Sequence, residues 1–269
     1  MTRWFGAVAA SLMAALLSFS PAQALTLYTT GNAGAALFTI DSSTGAGTLV
    51  GNFGHADTYS LAFDPGNTLY AIVDSYNTST LATVDTTTGA ATPIGSGTNI
   101  ADLMAMVFAP DGTLYAASWG TDSLYTMDPT TGAATVIGAL GFSGVMDLAF
   151  DGSGTLYGIA SMGSSSALYT IDPATGAGTM ATTASNNCLM SLTIDPTARF
   201  LSTDYCVGNS PLYQVDPSTG TVTSLGDTGI ASPMGLTYRG VATAVPEPAS
   251  MALLAAGLAG LTALRRKRA

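Results

Sequence analysis

The sequence predicts an all-β fold: a closed propeller of five four-stranded blades. Three observations carry this. The stretch Leu124-Tyr125-Thr126-Met127-Asp128-Pro129-Thr130-Thr131-Gly132 recurs in variant form at Leu37–Gly45, Leu81–Gly89, Leu168–Gly176 and Leu212–Gly220. Its aspartates fall at 41, 85, 128, 172 and 216, with spacings of 44, 43, 44 and 44 residues, a period that marks a repeat architecture. Each period holds four short strand signals, and the two ends of the repeat region are out of phase in a way that lets them complete one another.

The third period shows the pattern. Met104–Phe108 is an apolar strand, Ala109-Pro110-Asp111-Gly112 a turn, and Thr113–Ser118 a second strand. After a loop come Ser123–Met127, the Asp-Pro-Thr-Thr-Gly turn and Ala134–Ile137. All are short, suited to β structure and bounded by Gly, Pro and Asp. First strands alternate large and small residues: Met104, Met106 and Phe108; Met146, Leu148 and Phe150; Met190, Leu192 and Ile194. Side chains alternate between the faces of a strand, so each blade has a large and a small face, and neighbouring blades should pack one against the other. The methionines at 104, 146, 190 and 234 are expected to belong to this packing.

The first 24 residues read as a secretory signal peptide. Arg3 is followed by the apolar run Ala7–Leu17 and the small-x-small site Ala22-Gln23-Ala24, so the exported chain starts at Leu25. From there the repeat begins with a second strand, Leu27–Thr30, and it ends with a first strand, Met234–Arg239. The last strand therefore completes the blade of residues 25–52, and the other blades begin near 59, 104, 146 and 190. Closure leaves no open edge between the ends.

Between Leu25 and Gly240 there are sixteen Asp, no Glu, no Lys, and only Arg199 and Arg239. Sixteen acids against two bases leave a formal charge near −14, which argues against nucleic acid or an anionic membrane surface as a partner. Asp41, Asp64, Asp85, Asp111, Asp128, Asp151, Asp172, Asp195 and Asp216 fall in turns on one face, the bottom, where Asp accepts backbone N–H bonds. On the other face, the top, lie Asp57, Asp74, Asp102, Asp122, Asp147, Asp204 and Asp227, with His55 and Trp119. Asp57, Asp102 and Asp147 open the innermost strands and are the candidate ligands for a cation; an all-oxygen set suits Ca²⁺. A single His rules out a His-rich zinc site. No other cofactor is expected.

Both cysteines lie in the last blade. The turn Asp195-Pro196-Thr197-Ala198 places Ile194 opposite Arg199, so paired positions sum to about 393. Cys188 and Cys206 sum to nearly the same and should bond.

Acid–base chemistry has little to work with. There is no Lys in the repeats, one His, and no Gly-x-Ser-x-Gly elbow to supply a nucleophilic Ser. The expected function is therefore non-enzymatic: an exported binding or structural module, with a polysaccharide as ligand and Tyr76, Trp119, Phe142 and Tyr205 as flat top-side surfaces for sugar rings. The alternative is an Asp-based glycan hydrolase on the same face, needing two carboxylates about 5–9.5 Å apart.

The C-terminus has three parts. A linker over 241–248 holds Val245-Pro246-Glu247-Pro248, the apolar run 249–264 is of near membrane-spanning length, and Arg265, Arg266, Lys267 and Arg268 lead the basic tail over 265–269. The prolines keep the motif extended, and the basic cluster should stay cytoplasmic. This order resembles the PEP-CTERM sorting signal of Gram-negative bacteria. The resemblance implies exosortase as a partner, inner-membrane anchorage through the helix before processing, a final location at the cell surface or outside the cell, and an association with exopolysaccharide.

Replacing Pro246, Glu247 and Pro248 with alanines is expected to leave folding and export intact and to trap the full-length chain in the membrane. Immunoblots of membrane and medium fractions from an exosortase-bearing host check this. Release of the variant like the original would reduce the tail to an anchor.

Overall fold

The computed structural model describes residues 25–240 except 162–164, 187, 207 and 209. The signal peptide, the linker motif, the apolar run and the basic tail all lie outside the described residues. Within them every element is a strand. Blade 1 contains β1 (Thr26–Gly31), β2 (Ala36–Asp41) and β3 (Gly47–Asn52). Blade 2 follows with β4 (Ser60–Phe63), β5 (Leu69–Val73), β6 (Thr80–Val84) and β7 (Ala91–Pro93). Blade 3 is β8 (Leu103–Phe108), β9 (Leu114–Ser118), β10 (Ser123–Met127) and β11 (Ala134–Ala139). Blade 4 is β12 (Val145–Phe150), β13 (Leu156–Ser161), β14 (Ser166–Ile171) and β15 (Gly178–Ala184). Blade 5 is β16 (Thr193–Ile194), β17 (Phe200–Thr203), β18 (Pro211–Val215) and β19 (Val222–Asp227), and β20 (Met234–Tyr238) ends the domain.

The five sheets are all antiparallel and four-stranded, and β20 joins blade 1 as its innermost strand in the order β20-β1-β2-β3. The expected closure is thus present: Leu27 pairs with Tyr238 and Thr29 with Leu236. The hydroxyls of Thr29 and Thr30 also donate to the Met234 carbonyl, at 3.1 and 2.8 Å.

Among the described residues the core has one cluster at each of the five blade interfaces and a sixth, of Tyr59, Met104 and Met234, on the axis. Leu37 and Phe53 of blade 1 meet Leu61, Leu69 and Val73 of blade 2. Ile72 and Leu81 meet Met106 and Leu114 of blade 3. Equivalent clusters join blades 3 and 4, 4 and 5, and 5 and 1. An aromatic pair bridges four of these interfaces: Tyr28–Phe63, Tyr70–Phe108, Tyr115–Phe150 and Tyr157–Phe200, with centroids 5.0–5.7 Å apart. Large faces do pack against neighbouring blades, as the alternation predicts.

The methionine column behaves differently. Met104 and Met146 fall where register shifts between Leu103 and Ala105 and between Val145 and Asp147. A bulge re-aims a side chain out of the regular alternation. Met104, Met146, Met190 and Met234, with Tyr59 from blade 2, close around the axis at the top and leave a void of about 10 Å³. They plug the channel rather than pack blade on blade.

The recurring turn has two jobs. Its Asp closes it locally: Asp85 Oδ1 accepts the Thr87 and Thr88 amides at 2.7 and 3.2 Å, and the Gly89 amide donates to the Asp85 carbonyl at 2.8 Å. Its Gly then packs on the outer strand of the preceding blade. A Cβ at Gly89, whose φ is +80°, would lie 2.6 Å from the Gly51 carbonyl of β3, and a Cβ at Gly51 would collide with the Thr88 carbonyl. Gly132 approaches Ile94, Gly176 approaches Gly138, Gly220 approaches Thr183, and Gly45 approaches Gly226 across the closure.

Gly89→Ala is expected to cost more stability than Gly112→Ala. Both have positive φ, which costs about 1–2 kcal/mol. Only Gly89 faces a neighbouring blade, since nothing lies within 4 Å of a Cβ at Gly112, so overpacking adds about 1–3 kcal/mol there. Urea unfolding of the two variants checks the difference; equal midpoints would contradict the close contact.

Candidate functional site

First strands run from top to bottom, so the loops before them and those between second and third strands share the top face. Four top-face aspartates, Asp57, Asp74, Asp102 and Asp122, have left-handed backbone at φ of 50°, 52°, 56° and 46°. Asp and Asn are the residues besides Gly that visit this region most readily, so these carboxylates first shape the loops.

At the top of blade 2 the loops place several functional groups together. His55 Nδ1 lies 3.3 Å from Asp74 Oδ2. The Tyr59 hydroxyl donates to Asp57 Oδ1 at 3.1 Å, and the Tyr59 ring meets Tyr76 edge-on with centroids 5.3 Å apart. The Ser75 amide donates to the Asp57 carbonyl, tying the two loops together. Burial, with Tyr76 and Asp57 beside it, pushes the Tyr59 hydroxyl far above its ordinary pKa, so it stays a donor. Tyr76 is 53% exposed. The alignment of blades held a signal for this site: Tyr59 stands where the other four blades have methionine.

Of the other top-side aromatics, Trp119 and Tyr205 are exposed. Phe142 is not a free surface. It stacks on Tyr169 with centroids 3.7 Å apart and packs into the cluster between blades 3 and 4.

Asp57, Asp102 and Asp147 are not brought together. Asp57 and Asp102 lie in loops ahead of their strands, whereas Asp147 lies inside β12 and is fully buried beneath the methionine ring. Asp147 Oδ1 accepts the Leu148 amide at 2.9 Å, and Oδ2 accepts those of Leu192 and Leu236 at 2.8 and 3.2 Å. One carboxylate therefore links the innermost strands of blades 4, 5 and 1. Burial raises its pKa well above the ordinary value, against the pull of the three amides. Its role is structural, and the proposed Ca²⁺ set is replaced by this internal use of the carboxylate.

Among the described residues, one group of three metal-ligand types has its atoms within 4.8 Å: Cys188, Asp204 and Cys206. Its sulfurs are joined in a disulfide, with Cα atoms 5.8 Å apart, and so offer no thiolate. Asp204 is occupied by Asn186 Nδ2 at 2.9 Å and the Cys206 amide at 2.7 Å. The group holds a loop rather than a soft metal. The hairpin register differs by one from the expected one at its turn, pairing Ile194 with Phe200, and reaches the expected sum at Leu189 and Asp204. The Asp195 amide bonds the Arg199 carbonyl and so lengthens the turn.

A cavity of about 400 Å³ opens on the bottom face. Ala62, Val107, Ala149, Thr193 and Thr237 line its wall, and Gly240 lies at its mouth. The bottom aspartates are turn formers, as expected. The Ser43 hydroxyl and amide hold Asp41 below its ordinary pKa, and similar bonds do so for Asp85, Asp128, Asp172 and Asp216. At Asp195, burial works upward but is outweighed by the Arg199 amide, the Thr197 hydroxyl and the Arg199 guanidinium. The stabilisation these groups give is complete above their unfolded pKa and is lost as pH falls through the depressed folded value. Both arginines of the domain serve this face. Arg199 Nε bonds Asp195 at 2.7 Å, and Arg239 lies over the rings of Tyr28 and Phe63 and donates to Thr86.

The tachylectin family profile matches residues 31–220, more than two thirds of the chain and all five of the recurring turns. The chain belongs to the tachylectin family. A second match, to the PEP-CTERM protein-sorting motif, covers residues 244–268. This member of the family is thus an exported PEP-CTERM protein, with a membrane-anchored precursor processed by exosortase. No curated protein matches the sequence. Solved structures of similar shape include a chain of a nidogen/laminin complex, with 14% identity, TM-score 0.53, and coverage of 79% of this chain and 80% of that one. A candidate 6-phosphogluconolactonase of Bacteroides fragilis NCTC 9343 gives 13%, 0.51, 81% and 98%, and one of Bacteroides uniformis ATCC 8492 gives 13%, 0.50, 80% and 99%. At these identities the likeness is one of fold alone.

For Asp147 the pH dependence is opposite to that of the turn aspartates. Its folded pKa is raised, so its favourable, protonated contribution is present below the unfolded value of about 4 and is lost as pH rises toward the folded one. The stability of Asp147→Asn relative to the original is therefore expected to improve as pH rises from 4 toward 8. Urea unfolding across that range checks it; a constant difference would mean that folding leaves the pKa of Asp147 unshifted.

Proposed function

We propose that the chain is a non-enzymatic lectin-like module that holds an exopolysaccharide on the top face of its propeller after sorting through the PEP-CTERM tail. The observation that carries this is the placement of the exposed rings of Tyr76, Trp119 and Tyr205 in top-face loops. The last described residue, Gly240, is at the mouth of the opposite face. A tail leaving there keeps the aromatic face away from the membrane. Flat rings take the apolar face of a pyranose, and the loop carboxylates and His55 take its hydroxyls. Membership of a family named for lectins supports a binding role, and the sorting motif supports an extracellular site of action.

The partners of three top carboxylates, and the burial of Asp147, weigh against a role for these four in the hydrolase alternative. Asp57 serves Tyr59, Asp74 serves His55, and Asp204 serves Asn186 and the Cys206 amide. A glycosidase needs one carboxylate held protonated beside another left free. The full-length protein is expected to be retained by its host's exopolysaccharide and to release no reducing ends from it. A co-sedimentation assay paired with a reducing-sugar assay checks both halves. Steady release of reducing ends would favour the hydrolase.

A further inference from the structure

A plug asks only for apolar volume, and Leu or Ile would supply it with less side-chain freedom to fix than Met. Four of the five blades nevertheless bring methionine to the top of the axis. Met104, Met146, Met190 and Met234 bound one void with Tyr59, and its volume of about 10 Å³ is room for a single water-sized sphere. Thioethers are weak hydrogen-bond acceptors, and Tyr59 adds a ring rather than a donor, since its hydroxyl is turned to Asp57 at 3.1 Å. A water needs several polar partners and would not find them here. Among the described residues no carboxylate, imidazole or thiolate bounds the void. The backbone around it is fixed. Register shifts fall beside Met104, Met146 and Met234, and such bulges aim a side chain out of the regular alternation. The Met234 carbonyl accepts the Thr29 and Thr30 hydroxyls at 3.1 and 2.8 Å, and the Met190 amide donates to the Thr203 carbonyl at 3.0 Å. Met104 and Met234 are buried, whereas Met146 and Met190 are half-buried and leave a way in from the top.

The donor set selects the ion. Thioether sulfur is soft and uncharged and suits Cu(I), whereas Ca²⁺ and Mg²⁺ take oxygen ligands and Zn²⁺ takes thiolate, imidazole or carboxylate. A cation is also drawn to a domain of formal charge near −14 whose two arginines lie at the other end. We infer that the top of the axis is a Cu(I) site whose ligands are the thioethers of Met104, Met146, Met190 and Met234, with the Tyr59 ring as its fifth wall. Blades 3, 4, 5 and 1 each supply one sulfur. The flexible methionine side chain lets the sulfurs close on an ion smaller than the void. The site does not rest on the polysaccharide reading, since both its ligand and its residues are different.

Anaerobic titration of the full-length protein in detergent, its disulfide intact, with Cu(I) held by the chelator bicinchoninate tests the site. One Cu(I) per chain should pass from chelator to protein. Ag(I) should compete for it, and Ca²⁺ and Zn²⁺ should not displace it. X-ray absorption of the loaded protein should show only sulfur neighbours around the copper. Replacing both Met104 and Met234 with Leu conserves the volume of the plug. That double variant should bind Cu(I) at least about tenfold more weakly, since loss of even a supporting partner costs metal affinity about 10–100-fold. Met180→Leu, on an exposed outer strand, should leave the affinity unchanged. No transfer from bicinchoninate, nitrogen or oxygen neighbours in the absorption spectrum, unchanged affinity in the folded double variant, or an equal loss in Met180→Leu would each overturn the site. The spectrum of the unaltered protein decides even if the double variant fails to fold.

Discussion

The contact between each blade's Asp-to-Gly turn and the outer strand of the blade before it fixes the spacing of the ring. The turn must bring its backbone against another backbone, so a side chain is excluded on at least one side of the contact, as at Gly51 and Gly89. The same geometry recurs at Gly138 with Gly176 and, across the closure, at Gly226 with Gly45. Blade 4 departs from the pairing: Thr182 and Thr183 stand where the other outer strands carry glycine, and the Ser185 amide donates to the Gly220 carbonyl at 2.8 Å. With the outer rim held in this way, the apolar side chains between blades close into five clusters of similar build.

The axis is organised by different forces. At the top, side chains of one type from four blades and a tyrosine from the fifth close the channel. Just below, Asp147 draws together amides from three blades. Below that, the residues facing the axis are small, and the channel widens into the bottom cavity. The propeller therefore has two unlike ends. One is sealed, aromatic and irregular in its loops; the other is open, regular and rimmed by aspartates engaged in their own turns.

That asymmetry bears on function. The regular end carries turns that the fold itself requires, and both arginines are committed there. The irregular end carries the groups the repeat does not need: the His55–Asp74 pair, Tyr59, Tyr76, Trp119, and the disulfide-held loop with Tyr205. An exported protein can keep that disulfide, which braces the blade with the shortest inner strand, β16. Among the described residues both arginines lie at the bottom, so the top face carries aspartates and His55 but no Arg or Lys.

Much of this was legible in the sequence because it is periodic or local. A turn repeated every 43 or 44 residues, alternation along the first strands and the complementary phase of the two ends determine the blades, their number and their closure, since each is set by backbone geometry common to every repeat. The Cys188–Cys206 bond followed from hairpin register, although the turn displaced that register by one residue. What depends on distance around the ring could not be read. Bulges at Met104 and Met146 turned the methionines toward the axis, and only their meeting with Tyr59 shows a plug. Asp147 looked like Asp57 and Asp102 because all three stand near the start of a first strand; burial, and amides from strands 45 and 89 residues away, gave it another role. Phe142 looked free until Tyr169 covered it. The sequence by itself determined the ring. The tertiary structure decided which groups face into it and which are left on its surface, because burial and partnership are properties of neighbours that the chain brings together only on folding.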